Sequence, residues 1–162
     1  MSVATTIRSL SEAGAHRWGA LSREVRAAAR RLGEVERAEL DAMLWADLSS
    51  EYDARFLLAH LSACDVAFGP EFDVALALWA RDEAEHAAGF RAVVHAAFGR
   101  PLSELDARLE ARVGDVDFAP LAHLMEDEFA VALLFSYDEL ATVRAYRANR
   151  GRYALLGPEL TD

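Results

Sequence analysis

Lysine is absent from the sequence, and cysteine occurs once, as Cys64. A single cysteine excludes an intrachain disulfide and a cysteine-built zinc site, and it makes a reducing cytoplasm the expected compartment. All 17 basic residues are therefore arginine, a bias that fits a GC-rich genome and carries no functional weight. Proline (4) and glycine (9) are scarce, which argues against disorder and leans towards helix. No uncharged apolar run reaches roughly 18 residues, and the opening Met-Ser-Val-Ala-Thr-Thr-Ile-Arg lacks the apolar core of a secretory signal, so neither a membrane span nor a leader is expected. Period-two alternation of β-branched residues is missing as well, which removes the case for a sheet. Positive charge is also in short supply: 27 acidic residues against 17 basic leave a formal charge of −10. That balance repels phosphate backbones and anionic membranes, so nucleic acid and membrane are not expected partners.

What remains is a chain of 162 residues, 53% hydrophobic and 27% charged, dominated by Ala, Leu, Arg and Glu. This predicts an all-α protein, one domain over 1–162, with enough chain to bury a core unaided. Breakers at Gly33, Gly69-Pro70, Gly99-Arg100-Pro101, Gly114, Pro120, Gly151 and Gly157-Pro158 punctuate it. Between them the spacing predicts an N-terminal helix over 5–32, long core helices over 34–67, 71–98 and 119–150, and a short crossover helix near 102–112. The Arg23, Arg26, Arg30 and Arg31 stripe reads as a solvated face. Three long helices joined through a lengthy connection suggest a bundle with a crossover.

One residue pair breaks the pattern. On 71–98 the positions Phe72, Leu76, Trp79, Glu83, His86, Phe90 and Val94 recur every three or four residues, placing a carboxylate and an imidazole on the apolar stripe. Buried charges are rarely left unpaired, and a metal ion is one partner that makes them tolerable. Glu-x-x-His alone is common in Ala-rich helices, where it is usually a surface pair or a satisfied core histidine. Here each neighbouring long helix also carries a glutamate on its apolar stripe: Glu51 after Leu44 and Leu48, and Glu139 after Val131 and Phe135, with Glu128 three turns earlier on the same side. Asp53, Asp82 and Glu85 fall on other faces. His60, His95 and His123 lack an inward carboxylate at helical spacing and read as structural.

Glu51, then Glu83-x-x-His86, then Glu139 on successive helices resembles the ferritin-like di-iron carboxylate superfamily, in the branch of soluble acyl-carrier-protein desaturases and di-iron N-oxygenases. Phe135-Ser136-Tyr137-Asp138-Glu139-Leu140-Ala141-Thr142 is similar to the stretch in which that family's ligand Glu is followed by x-Ala-Thr. Trp79-Ala80-Arg81-Asp82-Glu83-Ala84-Glu85-His86 is similar to its second-helix motif, and the resemblance covers roughly residues 40–162. It implies a ferritin-like bundle, two iron ions (manganese being the alternative), O2 and a small organic or acyl substrate. Glu51, Glu83 and His86 would hold the first metal, and Glu83 and Glu139 would bridge towards a second. Thr142, one turn beyond Glu139, is the candidate catalytic residue as a hydrogen-bond donor near the metals, although a helical Thr more often bonds its own i−4 carbonyl.

The family also places a second Glu-x-x-His on a fourth core helix, which this sequence does not carry through Asp162. Three sources stay open: a truncated or flexible tail, a second chain or homodimer partner completing the bundle, or the N-terminal helix with Glu12 and His16. Trp45, Trp79, Phe90, Phe135 and Tyr146 could line a substrate channel, though aromatics at helical spacing are usually core.

Overall fold

The computed structural model describes residues 22–64 and 66–161. Among the described residues every regular element is helical, and no strand occurs. A helical segment over 22–29 leads into α1 (Glu34–Ala63), α2 (Pro70–Phe98), the short α3 (Leu102–Glu110) and α4 (Glu128–Tyr153). Single 3-10 turns at Ala111–Gly114, Ala119–Leu124 and Pro158–Leu160 fill the connections.

The helix boundaries follow from local chemistry. α1 starts beyond Gly33, whose N–H donates to the Glu36 carboxylate at 3.0 Å, and Glu34 and Glu36 oppose the positive end of the helix dipole. It stops at Ala63, short of the predicted 67, because Cys64 turns to extended backbone while its N–H still reaches the carbonyls of His60 and Leu61. α2 begins at Pro70, a residue preorganised for a first turn, and ends on Gly99 at φ 73°, where a side chain would be strained. α4 does not begin at 119 as the sequence pattern suggests. Pro120 opens a 3-10 turn instead, and the helix starts at Asp127, whose side chain accepts the Ala130 N–H at 2.8 Å. Gly151 does not end it, since the helix continues to Tyr153. Of the predicted 5–32 helix, 22–29 is helical and the chain turns at 30–32; Glu12, His16 and the rest of that stretch lie outside the described residues.

Small residues on α2, namely Ala80, Gly89, Ala96 and Ala97, let α1 approach closely, and Leu40, Leu44 and Leu48 fill the seam. Val25 and Ala29 of the leading segment close one end of this core. α4 stands farther off and meets the pair through large side chains. Phe90, Tyr146 and Tyr153 form a ring cluster with centroids 5.7–6.5 Å apart, and Trp79 packs edge-on to Phe135 at 4.4 Å. A second, smaller core gathers Leu61, Met125 and Val131 at the other end. The gap between α4 and the α1–α2 pair is what makes room for a site.

The crossover is fastened by ion pairs: Arg91 to Asp106 at 2.5 and 2.7 Å, Arg112 to Asp53, and Arg55 to Glu110 at 3.0 Å. Each is worth little singly, but together they hold the 111–118 connection beside the middle of α1. Leu48 carries more of the stability, being 0% exposed. Leu48→Ala is expected to lower the unfolding free energy by about 3 kcal/mol, through lost transfer energy plus the cavity it leaves. Urea unfolding followed by circular dichroism measures this, and a loss under about 1 kcal/mol would show that this seam is not the core. Among the described residues no helix is long and apolar enough to cross a membrane.

Candidate metal centre

Three side chains predicted from the helical spacing converge. Glu51 on α1 and Glu83 and His86 on α2 each offer a donor atom, and these atoms all lie within 4.8 Å of one another. Close pairing of α1 and α2 creates this meeting, because Glu51 sits one turn past Leu48 on the seam and Glu83 and His86 are one turn apart on the facing stripe. Glu51 is buried at 4% exposure, the sole buried carboxylate among the described residues. The Glu83 side chain is 14% exposed and that of His86 53%, so the cluster opens to solvent on the imidazole side.

Glu51 is held by three neighbours. One carboxylate oxygen lies 3.1 Å from His86 Nδ1, the other accepts the Tyr146 hydroxyl of α4, and Glu83 hydrogen-bonds to it as well. Burial pushes the Glu51 carboxyl up, but the bonds from His86, Glu83 and Tyr146 outweigh it, and the net direction is down. Glu83 goes the opposite way. Its own burial, with the adjacent Glu51 carboxylate and the charges of Glu139 and Asp138, pushes it up to about 9. The pair therefore shares one proton, carried by Glu83, and one charge, carried by Glu51. His86 is raised by its hydrogen bond to Glu51, despite burial acting against the charged ring. Burial also pushes Tyr146 upwards, so its hydroxyl remains a donor.

Glu51 and Glu83 of the cluster line a cleft of about 240 Å³ between α1, α2, α4 and the 111–118 connection. Glu51, Glu83, Asp138, Glu139 and Thr142 all line it. Glu139 is an exposed residue at its edge rather than in the dry interior that the apolar stripe suggests, because α4 stands off from the other helices. Its Oε1 accepts the Trp79 indole N–H at 2.6 Å, which fixes it facing α2. Thr142 is half-buried in the same cleft.

Glu128 is not brought to the cluster. It is the first residue of α4, eleven positions and about 16 Å of helix from Glu139. Its carboxylate instead accepts the Gly69 N–H and clasps the α1–α2 connection. Side-chain space at Gly69 is limited by that contact, since a Cβ there would lie 3.2 Å from Glu128 Oε2. Helical phase put Glu128 on the correct face; distance along the axis removes it from the site.

Two acids were not singled out by the sequence pattern. Asp47 sits one turn before Glu51, accepts the Tyr153 hydroxyl at 2.8 Å, and is raised by burial. Its i−4 relation to Glu51 was the available signal. Asp138, raised by burial and by the charges of Glu139 and Glu51, had no signal beyond adjacency to Glu139.

The donor set fits a divalent ion. Metal–oxygen and metal–nitrogen bonds of about 2.0–2.2 Å allow donors of one ion to lie up to about 4.3 Å apart, and the donor atoms of the triad, all within 4.8 Å of one another, are gathered on that scale. Burial, with the neighbouring carboxylates, pushes Glu83 up, and a cation among these acids would relieve that condition. No protein-family model, no curated protein and no solved structure matches this chain, and the site rests on its own geometry.

Proposed function

We propose that this chain is a metal-dependent oxidoreductase of the ferritin-like, di-iron type. In this reading Glu51, Glu83 and His86 hold one divalent ion, and Glu139 with Asp138 offers carboxylates to a second. The substrate is a small organic or acyl molecule oxidised with O2. The observation that carries the proposal is the convergence of three donor side chains from two helices, one of them the buried Glu51 carboxylate kept ionised by its hydrogen bonds. Oxygen and nitrogen donors without a thiolate suit iron first and manganese second. If iron were bound, Glu51, Glu83 and His86 would hold it, and it would supply redox chemistry towards dioxygen.

The chain's own residues have narrower tasks. Tyr146 and Glu83 orient the Glu51 carboxylate, and the Trp79 indole holds Glu139 towards the cleft. Thr142 stands one turn after Glu139, where its hydroxyl can donate into the cleft. Phe118, Leu57 and Trp79 give the cleft its apolar lining.

Anaerobic titration with iron(II) tests the metal, and admission of air tests the oxidation. A first iron is expected to saturate at the triad and a weaker second to follow, with O2 consumed when air enters. Absence of saturable binding overturns the whole reading; binding without O2 consumption overturns the oxidoreductase part and leaves a non-catalytic iron-binding protein. One observation favours a variant in which another chain completes the bundle. Phe129, Leu133, Tyr137 and Leu140 lie exposed along one face of α4, between 54% and 77% accessible. Light scattering on the purified protein decides this, since that variant requires a stable dimer or hetero-complex.

A further inference from the structure

Val131, Phe135 and Tyr146 turn one face of α4 into the two cores. Phe129, Leu133, Tyr137 and Leu140 recur at three and four residues on the opposite face, and each is more than half exposed. The stripe they form runs on through Arg144 and Arg147, both exposed, and exposed Glu126 stands just ahead of the helix. From Phe129 to Arg147 this stripe carries no acid, although the chain has 27. Neither arginine has an acid three or four positions away on its own helix. Among the described residues Arg144, Arg147 and Glu126 enter no ion pair.

We propose that two copies of this chain pair through the outer face of α4, antiparallel, about a two-fold axis beside Tyr137. A two-fold contact requires a surface that complements itself, and this stripe does so only when reversed. Turned end for end about a point between Ser136 and Tyr137, it sets Leu133 on Leu140, the Phe129 ring on the Arg144 guanidinium, and Glu126 on Arg147. Each of these unlike pairs forms twice, and the two helix dipoles oppose one another favourably. A parallel pair would instead stack Arg144 on Arg144 and Arg147 on Arg147. Elsewhere a formal charge of −10 on each copy opposes contact. Taking roughly 150–250 Å² for a whole aromatic side chain, the four apolar side chains offer on the order of 500 Å² per copy. That is below the roughly 800 Å² per partner of a standard interface, so the pair is a reversible one. A second copy placed there stands behind α4 and adds no donor to the cleft; the inference goes beyond the metal-centre reading and does not rest on it.

Sedimentation velocity over about 1–200 μM protein tests the pairing, with a dissociation constant expected on the order of 10 μM. Leu133→Glu, at an exposed position, should weaken it about a hundredfold or more by placing an unpaired charge at the centre of the contact, with the helical circular dichroism unchanged. Glu126→Arg and Arg147→Glu should each weaken it about tenfold. The two together should restore it to within about threefold of the parent, a rescue that misfolding cannot produce. A monomer throughout the range, or a dimer that survives Leu133→Glu, overturns the proposal. So does a charge swap without rescue, which removes the antiparallel register, and so does a monomer that binds anionic phosphatidylserine vesicles through this face instead. Cobalt(II) titration separates the pairing from the metal centre. The Leu133→Glu monomer should bind cobalt as the parent does; binding lost along with the contact would show a partner supplying ligands and overturn the arrangement. A dimer that binds no cobalt supports the pairing and removes the metal reading.

Discussion

Glu83→Gln is expected to weaken cobalt(II) or iron(II) binding by about a hundredfold or more while leaving the metal-free protein as stable as the parent, or more stable, at pH 8. Both halves follow from the proton that Glu83 keeps when no metal is present. Glutamine has the shape of a protonated glutamate and preserves a hydrogen bond to Glu51, so the metal-free fold loses nothing it was using. It cannot become an anionic ligand, and loss of one of three donors exceeds the ten- to hundredfold penalty typical of even outer residues at metal sites. Glu51→Gln should differ in kind. It removes the charge that His86 and Tyr146 point at and leaves their polar atoms poorly matched, so stability and metal binding should fall together. Metal titration and thermal unfolding on the two variants check the contrast. A Glu83→Gln protein that binds metal like the parent would remove this residue from the ligand set.

The second large effect is on pH. In the unfolded chain Glu83 titrates near its ordinary value of 4.5; in the folded, metal-free protein it is pushed up to about 9. Between those values the fold holds a proton that the unfolded chain has released. The contribution is therefore fully present below 4.5 and declines as pH rises, by about 1.4 kcal/mol per unit while one proton differs, until Glu83 ionises in the fold as well. His86, raised by its bond to Glu51, adds in the same direction across the upper side of its ordinary 6.5. Metal binding must expel these protons. Apparent affinity should then climb about tenfold per pH unit from pH 6 to 8, and more steeply where His86 is still protonated. Glu83→Gln should flatten that slope by one proton. Affinity measured at several pH values, with proton release read in weakly buffered solution, tests this; a slope of zero would mean that Glu83 does not give up a proton to the ion.

How much of this could be read from the chain depended on the scale of the interaction involved. Helix existence was legible because the apolar period and the Gly and Pro breakers act within a few residues. Boundaries were less so: Pro120 reads as a first-turn residue, but in the fold it opens a 3-10 turn, and the helix waits for the Asp127 cap. Glu51, Glu83 and His86 were legible because each violates its own helix's pattern, and the structure brings those three together. Glu139 and Thr142 reach the same cleft, yet Glu139 sits at its exposed edge, since the standoff of α4 is set by Phe90, Tyr146, Tyr153 and Trp79 rather than by its own sequence. Glu128 shares the face of Glu139 but binds Gly69 instead, because phase around a helix does not report distance along it.

The sequence by itself determined the all-helical class, the stripes that each helix turns inward, and the identity of the acids and the histidine that interrupt them. These are consequences of a 3.6-residue period and of side-chain chemistry, both local. Only the tertiary structure decided which of two adjacent carboxylates keeps the proton, and that Tyr146 of α4 secures Glu51 of α1. Those properties depend on separations of a few ångströms between groups as much as 95 positions apart in the chain, and such separations are fixed by how whole helices pack, not by any spacing within one of them.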